Sequence, residues 1–238
     1  MTPNADDAAV GASGRVPDLR VAGEHLEHPP PRALRDQGQE QDLPRDRNQA
    51  ILEAAKQVGT LLKRKGHAFA LAGSVAVYAH GGSENLQHDV DFCVRPDDVD
   101  AVAATLREAG LQVLTPPEDW LLKAKCFGQD VDVIFTLAHR PVTTAMLERA
   151  AELPVDSVRM PVLAPTDLME SLLAAFSEHH CDFGAVLPIA RSLREKIDWE
   201  QVRRATGEAP MPAAFLFLLE RLNVIPRRQP SPPQQEEP

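Results

Sequence analysis

The segment Asp89-Val90-Asp91-Phe92-Cys93-Val94 alternates between acidic or small residues and apolar ones. On an extended strand this puts Asp89, Asp91 and Cys93 on one face, and Val90, Phe92 and Val94 on the other. The two carboxylates then project side by side, roughly 6–7 Å apart at the backbone from the strand rise. Like charges that close raise each other's pKa and resist joint ionisation unless a cation sits between them. A divalent cation that prefers oxygen ligands, Mg²⁺ first, relieves the conflict. Asp-x-Asp also suits an ordinary strand end with two solvated aspartates, so the rest of the chain must decide.

Two further stretches bear on that choice. Phe69 to Ala72 is an apolar run that suits a short buried strand; Val75 to Ala79 suits the first turns of a helix stopping at Gly81-Gly82. Gly73-Ser74 lies between them. A glycine there lets backbone N–H groups come close to a phosphate at a helix N-terminus, and Ser74 offers an N-cap and a hydroxyl. An ordinary turn has the same composition. The second stretch, Asp130-Val131-Asp132-Val133-Ile134-Phe135, is another alternating strand with acids at its start. Asp130 and Asp132 share a face, so either can supply a third carboxylate by sheet pairing. A carboxylate cluster with a phosphate cradle is the equipment of metal-assisted phosphoryl or nucleotidyl transfer.

The order strand, Gly-Ser, helix, loop, Asp-x-Asp and a later acidic strand resembles the nucleotidyltransferase fold of the DNA polymerase beta superfamily. The motifs span residues 68–137 and look most like small bacterial aminoglycoside and lincosamide nucleotidyltransferases and abortive-infection toxins. The resemblance implies that Gly73 and Ser74 bind the triphosphate of an NTP donor. It implies that Asp89, Asp91 and Asp132 hold two Mg²⁺ ions, with Asp132 helping to deprotonate an acceptor hydroxyl. Asp132 is preferred over Asp130 because Val133-Ile134-Phe135 follows it directly, as on the family's strand. Kinship with toxins adds a cognate antitoxin as a candidate partner. The fold implied is α+β, a mixed sheet flanked by helices and followed by a small helical module.

The chain departs from the family at two positions. Many members carry Arg four residues, and Thr, Ser or His two residues, before the first aspartate; here stand Asn85 and Gln87. A missing Arg removes a bidentate phosphate contact, which Lys123 or Lys125 is placed to supply. His88 is a candidate contact to triphosphate or acceptor. His80 reads as a cap or surface residue, and Cys93 as a small buried hydrophobe. His179-His180-Cys181-Asp182 mimics a metal cluster, but neighbouring residues point in different directions. A helix junction with Asp182 as N-cap is the better expectation, and Asp182 is also the position where family members often bring an acid to the site. The departures support a second function: a catalytically weak nucleotide-binding or regulatory protein on the same fold. A haloacid-dehalogenase phosphatase reading of Asp89-Val90-Asp91 fails on Cys93 and the continuing strand.

Composition narrows the setting. Among 238 residues, 43% are hydrophobic and the formal net charge is −10, which disfavours a general nucleic-acid surface. A small-molecule acceptor is therefore favoured, with tRNA or protein left open. The three cysteines, Cys93, Cys126 and Cys181, are scattered and odd in number, which fits a reducing cytoplasm. No apolar run approaches the ~20 residues of a membrane span, and the N-terminus lacks a signal-peptide pattern.

Four regions are predicted: a disordered tail over 1–47 with a transient helix over 16–26, a nucleotidyltransferase core over 48–163, a helical module over 164–225 and a disordered tail over 226–238. Helices are expected over 46–65, capped by Asp46 or Asn48, over 97–109, and over 142–150. Strands are expected over 111–114, 120–127 and 131–137, with a hairpin or edge strand over 155–163. Thr166-Asp167 opens the first helix of the module. Three more follow, over 182–193, 197–206 and 212–222.

Overall fold

A computed structural model describes residues 47–82, 86, 89–207 and 209–227. The two expected tails fall almost wholly outside these residues, as do Asn85, Gln87 and His88. Helix α1 (Arg47–Arg64) buries Ile51, Leu52, Ala55, Val58 and Leu62 along one face. It stops at Gly66, whose φ of +76° suits a residue without Cβ. Asp46 lies outside the described residues, and Asn48 stands inside the helix rather than capping it.

The next elements carry the acids. Strand β1 (Ala70–Leu71) leads directly into helix α2 (Gly73–Ala79), and then comes strand β2 (Asp89–Cys93). Ser74 is not the N-cap: Ala72 holds that position, with no side-chain cap. A 3₁₀ turn over Pro96–Asp98 opens helix α3 (Val99–Glu108). Strands β3 (Gln112–Leu114), β4 (Leu121–Cys126) and β5 (Gln129–Ile134) form an antiparallel meander.

The following stretch departs from expectation. Residues 136–141 make a small ribbon, β6 (Thr136–Leu137) with β7 (Arg140–Pro141). The Val142 N–H bonds the Phe135 carbonyl, so helix α4 (Thr144–Glu148) starts later and is shorter than expected. Thr143 caps it by accepting from the Met146 N–H at 3.2 Å. The hairpin that follows, β8 (Ala151–Val155) and β9 (Val158–Val162), begins earlier than expected. Strand β9 is interior rather than an edge.

The large sheet runs β3-β4-β5-β2-β1-β9-β8, mixed in direction. Its α1 face collects Val90, Phe92, Val131 and Val133, all fully buried, with Phe92 edge-on to Phe69 at 5.7 Å. Each such side chain contributes about 1.5–3 kcal/mol by leaving water.

Four helices follow the sheet: α5 (Pro165–Ala174), α6 (Phe183–Leu193), α7 (Trp199–Thr206) and α8 (Pro210–Arg221). Ala164 and Pro165 start α5, one step before the expected Thr166; proline suits the first helical position because its missing N–H is not needed there. Asp182 and Asp198 cap α6 and α7, accepting from the Ala185 and Gln201 N–H groups at 3.0 and 2.9 Å. Phe176, Phe183 and Phe215 pack mutually with centroids 5.1–5.6 Å apart, in a cluster distinct from the sheet core. The architecture is α+β, a mixed sheet flanked by helices and followed by a helical module. Among the described residues, no helix is long and apolar enough to cross a membrane.

Candidate active site

Register decides which acids meet. Strands β2 and β5 pair in parallel, with Asp89 opposite Asp130 and Asp91 opposite Asp132. The site-facing residues of both strands therefore stand in two acidic rows. Oxygens of Asp89, Asp91 and Asp132 lie within 4.8 Å of one another. Asp130 stays out of this group; it is exposed and pairs with Lys125 at 2.6 Å.

The fold strains the charge of these acids. Burial, reinforced by the negative charges of Asp89 and Asp132, pushes the Asp91 carboxyl up to about 7, with Lys123 opposing. Burial also raises Asp132, against the hydrogen bonds and charge of Lys123. Asp132 is only 5% exposed. The Lys123 ammonium donates to both its carboxylate oxygens at 3.1 Å. Three hard oxygen donors in mutual conflict suit a divalent cation, which would be held by Asp89, Asp91 and Asp132.

The glycine of the bend is built against the same acids. Gly73 has φ +59°, and a Cβ added there would stand 1.8 Å from Oδ2 of Asp91. The Ala72 N–H donates to the Asp91 carbonyl at 2.8 Å. Bend and Asp-x-Asp strand are thus a single packed unit, and Ser74 is the next residue of α2.

The chain matches the model of a family described as uncharacterised nucleotidyltransferases over residues 19–224. It belongs to that family. Solved structures with the same fold include ANT(2'')-Ia in complex with adenylyl-2''-tobramycin, at 12% identity and TM-score 0.52, covering 70% of this chain and 97% of that one. The solution structure of the antibiotic-resistance factor ANT(2'')-Ia gives 12% identity and TM-score 0.50, covering 74% and 96%. A lincomycin-bound lincosamide antibiotic adenylyltransferase, LnuA, aligns at 12% identity and TM-score 0.41, covering 65% and 97%. No curated protein matches the sequence.

In this nucleotidyltransferase-family chain, the remaining candidate residues lie on β4, at the end of α2 and in the turn before α6. Lys123 and Lys125 are both ion-paired with the acids of β5. His80 is the C-cap of α2, one of its two expected places, and it is buried rather than at the surface: it is 7% exposed, and its Nε2 lies 2.9 Å from the Leu163 carbonyl. The reason is that β9 runs beside β1 and delivers Leu163 to the end of α2. Asp182 is exposed and occupied as a helix cap. His179 and His180 are exposed in a turn. Cys93 is fully buried, and burial drives its thiol pKa upward, so it is a core residue.

Sequence reasoning missed two buried acids. Asp167 pairs with Arg149 through two bonds at 2.6 and 3.1 Å, and Glu170 pairs with Arg140 at 3.0 Å. Asp167 reads in sequence as a first-turn helix acid, which hides its burial. Their spacing of three residues, one helix face, was the available signal.

Proposed function

We propose that this protein transfers a nucleoside monophosphate from an NTP to an acceptor hydroxyl and releases pyrophosphate. The observation that carries this is the convergence of Asp89, Asp91 and Asp132 against the Gly73 bend. Family membership and the shared fold support the reaction class.

In this proposal the acceptor oxygen attacks the α-phosphorus, and the bond to the oxygen bridging α- and β-phosphorus breaks. The acceptor proton passes to Asp132. Two Mg²⁺ ions bound by Asp89, Asp91 and Asp132 would neutralise charge on the triphosphate and activate the acceptor oxygen. Gly73 leaves room for the Asp91 carboxylate at the start of α2, and Ser74 is the hydroxyl proposed to meet the triphosphate. Lys123 and Lys125 stand on β4, beside β5, as candidate phosphate contacts, with His88, the residue before Asp89 in sequence, as a further candidate.

ATP is the first donor to test, since the neighbours with the same fold include an adenylylated product complex. A small-molecule acceptor is favoured over tRNA or protein by the net charge of −10. The free cysteines, two of them buried, suit a reducing cytoplasm. Incubation with α-labelled NTP, Mg²⁺ and a metabolite pool tests the proposal: labelled product and pyrophosphate are expected from the wild type and neither from Asp89→Asn. Full activity in Asp89→Asn refutes the assignment.

Asn85 and Gln87, in place of the family's Arg and hydroxyl or imidazole, favour a second function, nucleotide binding without efficient transfer. Calorimetry separates the two: tight Mg–NTP binding with no labelled product selects it.

A further inference from the structure

The β4–β5 register sets Lys123 opposite Asp132, and the β3–β4 register sets Leu114 opposite Lys123. One row across the acid-bearing face of the sheet therefore reads Asp91, Asp132, Lys123, Leu114. The Lys123 ammonium spans both oxygens of Asp132, and so occupies lone pairs that a metal needs. Its side chain is 42% exposed, on a flexible four-carbon stem, and can leave without disturbing the strand.

Apart from Asp132 and Asp91, which the cation itself would take, its row gives the displaced ammonium no carboxylate. Leu114, the next residue outward, is apolar and 54% exposed. Asp130, one step along β5, already holds Lys125 at 2.6 Å. With Asp89, Asp91 and Asp132 taken by the cation and Asp130 held by Lys125, an oxyanion brought by a ligand is the partner this arrangement calls for.

We propose that Lys123 is a resident counter-ion of the acidic cluster, which a divalent cation must expel, so that the site loads weakly with free metal and tightly with metal and a phosphate-bearing ligand together. This rests on the metal-binding role of the three acids proposed above. It makes Lys123 a positioning residue that sets metal affinity and the order of loading.

Manganese binding followed by electron paramagnetic resonance on the full chain tests it, with and without α,β-methylene-ATP. Lys123→Met keeps the stem and removes the charge. It should bind free Mn²⁺ at least about tenfold tighter than wild type, the scale of one opposite charge at contact distance, and lose most of the tightening that the analogue brings. Lys123→Arg, which keeps the charge, should stay as weak as wild type. Lys65→Met should change free Mn²⁺ affinity by less than about twofold, since its exposed pair with Glu108 lies outside the cluster and contributes little. A folded Lys123→Met that binds Mn²⁺ no tighter than wild type, when wild type binds, overturns this inference alone. Absence of Mn²⁺ binding by both, with and without the analogue, overturns the metal assignment and this inference with it.

Discussion

The α-carbon of Gly73 approaches the Asp91 carboxylate so closely that a methyl group there would stand 1.8 Å from Oδ2 and 2.8 Å from Cγ. The atom in the way ends a side chain, so Gly73→Ala can be accommodated by turning the carboxylate away from Asp132. Backbone strain at φ +59° adds about 1–2 kcal/mol. Gly73→Ala should therefore fold, melt a few degrees lower, and lose Mn²⁺ binding and transfer. Wild-type metal affinity in this variant contradicts the packing argument.

Asp91→Asn gives an opposite sign for stability and activity. It removes a charge that Asp89, Asp132 and burial all disfavour. Without metal at pH 8, Asp91→Asn should be more stable than wild type by about 1–3 kcal/mol, and it should transfer no nucleotide. Excess Mg²⁺ should stabilise the wild type and not the variant. Calorimetric melts with EDTA and with Mg²⁺ decide this.

The same carboxyl sets a pH dependence. Burial and the neighbouring acids push it up to about 7, from the 3.8 of a free aspartate. Between those values the folded protein keeps a proton that the unfolded chain has released, so metal-free stability falls as pH rises through this window and levels off above about 7. Protons also compete with metal. The melting-temperature gain from Mg²⁺ should be small at pH 5.5 and approach its plateau near pH 8. A gain independent of pH speaks against Asp91 as a ligand.

His80 works the other way. Burial lowers its pKa below 6.5, the Leu163 carbonyl bond opposes this, and nearby Lys196 adds to it. The unfolded chain then takes up a proton first as pH drops, so this contribution to stability is complete above pH 6.5 and is lost below it. His80→Ala should cost about 1–3 kcal/mol, because the Leu163 carbonyl loses its partner, and should flatten the acid limb of the stability curve. Urea melts at pH 5 and 7.5 measure both.

Arg149→Ala strands the Asp167 carboxylate, whose side chain is 2% exposed. Breaking a buried pair costs about 3–5 kcal/mol; with the guanidinium half in water, about 2–3 kcal/mol is expected. Arg149→Ala with Asp167→Leu should recover most of it. Chemical denaturation of the single and double variants checks this.

Local pattern made much of this protein legible. The alternation in 89–94 placed Asp89 and Asp91 on one face, because side-chain direction along a strand depends only on residue parity. Helix α1, the cap Asp182 and the glycine bend were readable for the same reason: capping and turn chemistry act within a few residues. Three things were decided only in the folded molecule. Asp132 rather than Asp130 joins the cluster because β2 and β5 pair in that register, a long-range choice that parity leaves open. Lys123 lies on Asp132 because β4 folds back beside β5. His80 is buried where β9 brings Leu163 to the end of α2, and Asp167 and Glu170 are the buried acids of α5, met by Arg149 and Arg140; burial is set by elements distant in sequence, and no local spacing encodes what those elements will cover.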